Sequence, residues 1–410
     1  MLGEGKFKHS VPDPTGEELE TFQTVRIRLE RTHVEAGDEH EKESMVVIHR
    51  KIGKEVHEEM KRELECEISE RVVNLEALQK IAGSGQLDGE FRALVWKLLL
   101  GYLPPEKDDW ERELAANRSR YAELKKELLI NPSESCREED EKMSSSEQQV
   151  GLLCRHEISN GDHPLNMGKT SIWCRYFKDA EILEQIDRDL PRTHPDMKFF
   201  SGDSSLGKSN QKAMKDILFL FAKLNPAIGY VQGMNEVLAP LYFVCRTDFD
   251  EQNAPNVEAD CFACFVRLMF DSVNHFCQQL DNSSMGIHST LHQLSELLRT
   301  NDQELWQHLM ITCKLNPQFY AFRWITLLLT QEFDFDCIIR LWDSLLSNPL
   351  GVQELLLRVC CAMLLYLRHE LLTGDFTSNL KLLQHYPQVD LERLLNLAHQ
   401  ITPIHVGRRI

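Results

Sequence analysis

One arginine follows a proline at the end of a helical pattern, an arrangement that can hold a charged side chain rigidly. The segment is Ile186-Asp187-Arg188-Asp189-Leu190-Pro191-Arg192. Because proline cannot continue a helix, the helix that starts near Ser171 should end here and project Arg192 from its end. A guanidinium presented in this way could bind two phosphate oxygens at once. The alternative is a surface arginine that favours the negative end of the helix dipole.

A second segment places uncharged amides between a proline-glycine turn and an apolar run. It runs from Asn225-Pro226 through Gly229-Tyr230-Val231-Gln232-Gly233-Met234-Asn235. Amides in apolar surroundings must be hydrogen-bonded, so Gln232 and Asn235 should contact other protein groups or a ligand. Gly229 and Gly233 would allow another backbone to approach closely. A cap-and-turn network and a binding site are both compatible with this pattern.

A third segment, Gly202-Asp-Ser-Ser-Leu-Gly207-Lys208-Ser209, matches the phosphate-binding pattern G-x-x-x-x-G-K-[ST]. In a true loop of this kind, Lys208 would contact the β- and γ-phosphates and Ser209 would bind Mg²⁺. Such a loop requires a buried parallel strand before it and a helix after it. The preceding Pro195-Asp-Met-Lys-Phe-Phe is too short and polar for a buried strand. The sequence therefore favours a surface loop here over the site of a P-loop nucleotide hydrolase.

Metal sites and hydrolase nucleophiles find little support in the sequence. Cys261-Phe-Ala-Cys264 has zinc-ligand spacing, but no second Cys or His pair follows at a matching distance. Both cysteines share a helical face with Phe265 and Leu268, which indicates core packing. His163 stands alone before a proline and is better explained as a loop residue. The G-x-S-x-G and H-E-x-x-H patterns are absent from the sequence.

The elements that must position these residues are helices. Ile338, Leu341, Trp342 and Leu345 recur at the spacing that makes one apolar stripe on a helix, and other segments repeat this pattern. Prolines, asparagines and glycines separate the segments, as expected at helix ends. The pattern predicts an all-α domain of about a dozen helices or more.

The helical pattern does not cover the whole chain. Residues 1–72 are charge-rich, and we expect them to form a variable, partly disordered N-terminal extension. Residues 73–400 carry the helical pattern and should form the domain. Within it, the Ser/Glu-rich stretch over 132–149 has almost no apolar residues, so we expect a mobile loop there.

The composition is that of a folded, net-acidic protein. Of 410 residues, 42% are hydrophobic and 27% are charged, and the formal net charge is -18. Such a chain repels phosphate backbones, so we expect no general nucleic-acid binding. The longest apolar run, Val359 to Leu367, is less than half of the roughly 20 residues that cross a bilayer, and no apolar signal sequence opens the chain. With 12 cysteines, we expect reduced thiols and a cytoplasmic location.

Taken together, the motifs resemble the TBC-domain family, the GTPase-activating proteins of Rab GTPases. The family's I-x-x-D-x-x-R motif is matched by Ile186, Asp189 and Arg192, and its Y-x-Q-G motif by Tyr230, Gln232 and Gly233. Its opening and C-terminal signatures are similar to Phe91-Arg92-Ala-Leu-Val95-Trp96 and to Leu341-Trp342-Asp343-Ser344. The signature motifs lie within 85–348, and the sequences of several segments are most similar to the family's member-13 branch.

The resemblance implies a TBC-domain fold and a function performed in trans. A small GTPase hydrolyses GTP slowly because the charge on the transferred phosphoryl group is poorly stabilised and the attacking water is poorly oriented. In this family an arginine and a glutamine enter the partner's nucleotide site, and the matching residues here are Arg192 and Gln232. The resemblance gives supporting positions to Asp189, Ile186, Tyr230, Gly233 and Asn235. It gives structural positions to Arg92, Trp96, Trp342 and Asp343.

The implied partner is a GTP-bound Rab GTPase, which regulates vesicle trafficking. The GTP and Mg²⁺ would belong to that partner, so the chain would need no cofactor or metal of its own and would be an enzyme activator rather than an enzyme. It would meet endomembranes only indirectly, through the Rab. Two alternatives are a helical adaptor that binds a Rab without accelerating hydrolysis and, less favoured, a P-loop hydrolase that uses Lys208.

Overall fold

The protein is built from helices throughout the part that the computed structural model describes, namely residues 58–85, 87–128, 172–248, 250–272, 275–276 and 286–402. The helices are α1 (58–69), α2 (Leu75–Gly83), α3 (Gly89–Leu99), α4 (Trp110–Leu128), α5 (Ile172–Asp189), α6 (Ser205–Leu224), α7 (Met234–Arg246), α8 (Val257–Ser272), α9 (Ile287–Asn301), α10 (Gln303–Gln307), α11 (Ala321–Thr326), α12 (Phe335–Ser347), α13 (Val352–Tyr366), α14 (Arg368–Thr373), α15 (Phe376–Gln384) and α16 (Leu391–Gln400). Over these ranges, strand-like pairing is limited to one isolated bridge between Val72 and Glu106. The predicted all-α class is confirmed.

The predicted apolar stripes form the core. On α12, Ile338, Leu341, Trp342 and Leu345 are each at most 1% exposed. This helix packs against α2, α3 and α13, and α13 in turn packs against α9 and α16. Burial of one face of each amphipathic helix is what holds such an assembly together. None of the helices in the described ranges is long and apolar enough to cross a membrane.

The cysteine pair of α8 belongs to the core, as predicted. Cys261, Cys264, Phe265 and Leu268 are all buried on the same helix face. Burial raises the pKa of the Cys261 thiol, which disfavours the thiolate that would bind a metal. Among the described residues, no group of three or more His, Cys, Asp or Glu side chains is arranged to hold a metal ion.

A cluster in the interior joins α3 to α12. Asp343 is fully buried and accepts hydrogen bonds from Arg92 Nε at 3.1 Å and from Trp96 Nε1 at 2.8 Å. The Trp96 ring stacks on Trp342 with 5.9 Å between centroids. Burial raises the pKa of Asp343 to about 6, although the Arg92 charge opposes the shift. We call these four residues the Asp343 cluster; it joins parts of the chain that are 251 residues apart.

The compact unit that carries α2 to α16 begins at Lys61, within α1. It therefore includes residues 61–72, which the sequence pattern assigned to the extension. In this stretch Leu64 is 1% exposed, and Lys61 forms an ion pair with Glu90 of α3 at 2.9 Å. One buried leucine on a charge-rich helix was too weak a signal to reveal this packing from composition alone.

Candidate functional site

The two motif-bearing segments meet at one groove of about 350 Å³. One side is formed by the end of α5 and by the start of α7. The opposite side is formed by α11 and by the residues that follow it. The groove is lined by Asp189, Arg192, Gln232, Gly233, Asn235, Glu236, Phe322, Arg323, Thr326, Leu327 and Gln331.

Arg192 stands at the end of α5 on a short 3-10 turn, Leu190–Arg192. Pro191 lies at the start of this turn, where its ring ends the α-helix. Buried Ile186 and Leu190 anchor the turn in the core, while the Arg192 side chain is 63% exposed. The predicted end of the helix is confirmed, and the guanidinium lies at the groove.

Gln232 is placed by the glycine that follows it. Gly233 caps the start of α7 with φ of 104°, in the left-handed region that favours glycine. A Cβ atom there would also lie 2.5 Å from Leu327 Cδ2 on the opposite side of the groove. The Gln232 side chain is exposed and forms no hydrogen bond within the described structure. Of the two kinds of partner that the sequence left open for this amide, Gln232 has no protein group within the described residues, and contact with a ligand stays a prediction.

Asp189 connects the two segments beneath the groove. This carboxylate is 5% exposed. One of its oxygens accepts the Tyr230 hydroxyl at 2.7 Å, and the other accepts an N–H of Arg192. Burial and the adjacent carboxylate raise the pKa of Tyr230, which keeps its hydroxyl protonated as a donor. The Arg192 Nε also donates to the Arg188 carbonyl at 3.1 Å, so the base of the guanidinium is restrained from two directions.

Asn235 is buried directly under the Gln232 segment. Its Oδ1 accepts the Gly233 N–H at 3.1 Å, and the Tyr230 hydroxyl lies 3.2 Å from the same atom. Since the oxygen accepts a backbone N–H, the orientation of the amide is defined, and its nitrogen must point away from Gly233. For Asn235, unlike Gln232, the prediction of a satisfied amide is confirmed.

A second buried carboxylate, Glu236, follows directly on α7. Burial, with a contribution from nearby Asp189, raises the pKa of Glu236 to about 7. One Glu236 oxygen lies 3.7 Å from Nε2 of His194, which stands two residues after Arg192. Burial lowers the pKa of His194, and its φ is 39°. The base of the groove therefore holds titratable groups on both segments.

The opposite side of the groove combines an exposed ring with a fixed ion pair. Phe322 is 41% exposed at the groove. Arg323 donates to both oxygens of buried Glu332, at 2.7 and 2.9 Å. After α11, Leu328 and Leu329 adopt φ of 51° and 64°, in the left-handed region that bulky residues rarely occupy.

Sequence reasoning did not single out several of these groove residues. They are Glu236, Thr326, Leu327 and Gln331. A carboxylate directly before an apolar run, as at Glu236, was an available signal, because buried charges often mark sites. The residues after α11 carry no such local signal.

In the P-loop look-alike, residues 202–204 form a turn and residues 205–209 are helical, which corrects the prediction of a surface loop over 202–209. The helix α6 begins at Ser205, after the Ser204 hydroxyl accepts the Gly207 N–H at 2.9 Å as its cap. At Gly207 a Cβ atom would lie 1.7 Å from the Ser201 carbonyl oxygen, so glycine is needed for packing. The residues before it form turns, and the strand that a phosphate loop requires is missing from this described region.

Three predictions fall outside the described residues. These are the extension over residues 1–57, the loop over 132–149 and the position of His163.

Comparison with known proteins agrees with the motifs. The model of the Rab-GTPase-TBC domain family matches residues 165–372. TBC1 domain family member 13 of Homo sapiens is 35% identical over 395 residues, covering 82% of this chain and 95% of the relative. The GTPase-activating protein gyp1 of Schizosaccharomyces pombe is 28% identical over 334 residues, covering 78% of this chain and 55% of its own.

A solved structure has the same fold. The crystal structure of the Ypt/Rab-GAP domain of Gyp1p superposes with a TM-score of 0.63 at 25% identity, covering 84% of this chain and 97% of that one. The resemblance inferred from the motifs, including the similarity to the member-13 branch, is thereby confirmed. The chain belongs to the Rab-GTPase-TBC domain family.

Proposed function

We propose that this protein is a GTPase-activating protein that accelerates GTP hydrolysis by a GTP-bound Rab GTPase. Arg192 and Gln232 enter the nucleotide site of the Rab in trans. The chain is then an activator that supplies catalytic groups, and the Rab is the enzyme. The GTP and its Mg²⁺ are bound by the partner, and this chain reaches membranes through the Rab.

One observation carries this proposal: the two motif side chains are both exposed at one groove, while the residues around them are buried and hydrogen-bonded. Arg192 is 63% exposed above Asp189, which is 5% exposed. Gln232 is exposed next to Gly233, whose N–H is bonded to buried Asn235. Groups that are exposed on a restrained backbone can act on a second molecule with little loss of conformational freedom.

Arg192 stabilises the charge that develops on the transferred phosphoryl group. Its Nε and one Nη2 donor are used within the protein, and its Nη1 group makes no hydrogen bond in the described structure. The remaining donors can bridge two phosphate oxygens. An arginine supplied to a GTPase in this way increases the rate by about 10³ to 10⁵ in the Ras and Gα systems.

Gln232 orients the attacking water. A neutral amide carries both a donor and an acceptor, so it can hold a water molecule in one orientation without taking its proton. The absence of intramolecular bonds leaves both ends of the amide available for this contact. Asp189 and Tyr230 keep the two segments at a fixed separation below the groove.

The experiment is single-turnover GTP hydrolysis by a panel of purified Rabs with and without the full chain. We expect at least one Rab to be accelerated by at least about a hundredfold at saturating protein. If a Rab binds in its GTP form but is not accelerated, the adaptor function replaces the proposal. Tight GTP or ATP binding by this chain alone, with loss of that binding in Lys208→Ala, would instead support a P-loop hydrolase.

A further inference from the structure

Each end of the buried Asn235 amide is hydrogen-bonded to the residue that follows one of the two proposed catalytic residues. On one side, Asn235 Oδ1 accepts the N–H of Gly233, the residue after Gln232, at 3.1 Å. On the other side, Asn235 Nδ2 donates to the hydroxyl of Thr193, the residue after Arg192, at 2.8 Å. Asn235 and Thr193 are 42 residues apart in the chain, and both are buried.

The hydrogen-bond roles along this connection are fully determined. Because Oδ1 accepts a backbone N–H, Nδ2 must face Thr193, and its second hydrogen reaches Glu236 Oε1 at 3.2 Å. The Thr193 hydroxyl accepts from Asn235 and donates to the Asp189 carbonyl at 3.3 Å. Every polar atom of the amide therefore has a partner, so rotation of either segment would leave a buried group unsatisfied.

We propose that Asn235 and Thr193 are positioning residues that fix the Arg192 segment relative to the Gln232 segment, so that both side chains meet one transition state. The inference rests on the proposed function. Neither residue touches the partner's nucleotide; both act through the backbone beside the catalytic side chains. A displacement of about 1 Å in a catalytic group can cost about a hundredfold in rate, so a rigid connection of this kind has a direct consequence for the chemical step.

The connection can be tested without any partner. Thr193→Val removes the hydroxyl at nearly constant shape, and Thr193→Ser restores it. We expect hydrogen exchange of the Gly233 backbone amide, whose N–H is bonded to Asn235, to become at least about tenfold faster in Thr193→Val, although the substitution lies on the other segment. Thr193→Ser should exchange like the parent. Unchanged exchange of the Gly233 amide in both Thr193→Val and Asn235→Ala would overturn the proposal, whether or not the protein activates a Rab.

The kinetic arm uses the Rab that the parent protein accelerates. Thr193→Val should lower the maximal stimulated rate by about tenfold and leave the half-saturating Rab concentration within about twofold, because the partner contacts are retained. Thr193→Ser should recover most of the rate. In an Arg192→Ala background the Thr193→Val penalty should shrink, because the residue acts through the group that is already lost.

Asn379 provides a matched control for loss of a buried amide. It is 1% exposed, and its Nδ2 donates to the Leu371 carbonyl at 2.9 Å, away from the groove lining. Asn379→Ala and Asn235→Ala should both lower the unfolding midpoint, and only Asn235→Ala should lower the maximal rate of the folded protein. Equal losses of rate in the two variants, at temperatures where both are folded, would reduce Asn235 to a general stability role and contradict the proposal.

Discussion

Two buried aspartates of this protein, Asp343 and Asp189, are each bonded to an arginine and to an aromatic donor, yet the two regions differ in what they leave exposed. At the Asp343 cluster, the Arg92 side chain is 23% exposed and also donates to the Leu87 carbonyl. At Asp189, the Arg192 side chain is 63% exposed. An aspartate and an aromatic donor therefore accompany a mostly buried arginine in one region and a mostly exposed arginine in the other.

Sequence separation accounts for this difference. Arg92 reaches a carboxylate 251 residues away, so the ion pair joins two helices and lies between them. Arg192 is bonded to a carboxylate at the preceding helical turn, so the pair stays at the end of one helix. A long-range pair in the interior contributes to holding the fold, whereas a local pair at a helix end supports a side chain that can act on a second molecule.

Asp343→Ala should destabilise the protein by removing the centre of the Asp343 cluster. Removing the carboxylate leaves the Arg92 charge and the Trp96 N–H without their buried acceptor. Loss of one partner from a buried pair costs about 3 to 5 kcal/mol. Urea unfolding of parent and variant measures the change, and Asp343→Asn, which keeps one acceptor, should lose less. An unchanged midpoint in Asp343→Ala would show that the cluster does not hold α3 against α12.

Glu236→Gln tests the other region, at the groove beside Asp189 and Arg192. Burial raises the pKa of Glu236 from 4.5 to about 7, so the native protein holds a proton that the unfolded chain releases. The stabilisation of the folded protein by this bound proton is complete at low pH. It is lost as the pH rises from about 5 through 7. Glutamine stays neutral, so the variant should gain about 2 to 3 kcal/mol relative to the parent between about pH 5 and pH 8.

The measurement is the urea midpoint of both proteins across that pH range. Burial is the largest effect on the pKa of Glu236, and repulsion by Asp189 raises that pKa further. The Asn235 hydrogen bond, the Gln331 side chain and the Arg192 charge oppose the rise without cancelling it. Burial also lowers the pKa of the adjacent His194, which favours its neutral form. Parallel pH curves for the two proteins would show that Glu236 is ionised at its ordinary pKa.

Gln232→Ala tests the second exposed motif side chain at the groove. Loss of the group that we propose to orient the attacking water should lower the maximal stimulated rate by at least about tenfold. The Gln232→Ala and Arg192→Ala double variant should lose less than the product of the two single losses, because both groups act on one transition state. A strictly multiplicative loss would indicate that the two residues serve separate steps. Single-turnover hydrolysis on the activated Rab distinguishes these outcomes.

Lys208→Ala should have the smallest effect, because this lysine is exposed on the first turns of α6 and belongs to neither region. Both the unfolding free energy, to within about 0.5 kcal/mol, and the stimulated hydrolysis should match the parent. Unfolding and hydrolysis assays on the same preparation check both quantities. A loss of most activity would reopen the P-loop interpretation.

The sequence supports prediction wherever the determining interactions are local. The stripe of Ile338 and Trp342 follows from helical spacing, and the end of α5 follows from Pro191. For the stripe and the helix end, the physical cause lies within a few residues of the feature. Arg192 and Gln232 were indicated by the resemblance of their motifs to the TBC-domain family, because the local pattern alone left a surface arginine and a turn network open.

The remaining features depend on contacts between distant parts of the chain. The bond from Asn235 to Thr193 and the pair of Arg92 with Asp343 leave no periodic pattern. Leucines such as Leu328 and Leu329 give no local indication of left-handed backbone, because only the surrounding packing can stabilise that conformation. The α11 side of the groove was therefore not predictable from residue types and spacing.

The most direct test of the contrast replaces each arginine by lysine, which keeps the charge and removes the planar fork. Maximal single-turnover hydrolysis on the activated Rab and urea unfolding are measured for Arg192→Lys and Arg92→Lys. We expect Arg192→Lys to lower the maximal rate by at least about a hundredfold at unchanged stability. Arg92→Lys should lower stability by about 1 to 3 kcal/mol and leave the rate of the folded protein unchanged. A folded Arg192→Lys protein that accelerates hydrolysis like the parent would contradict the proposed role of Arg192 in trans.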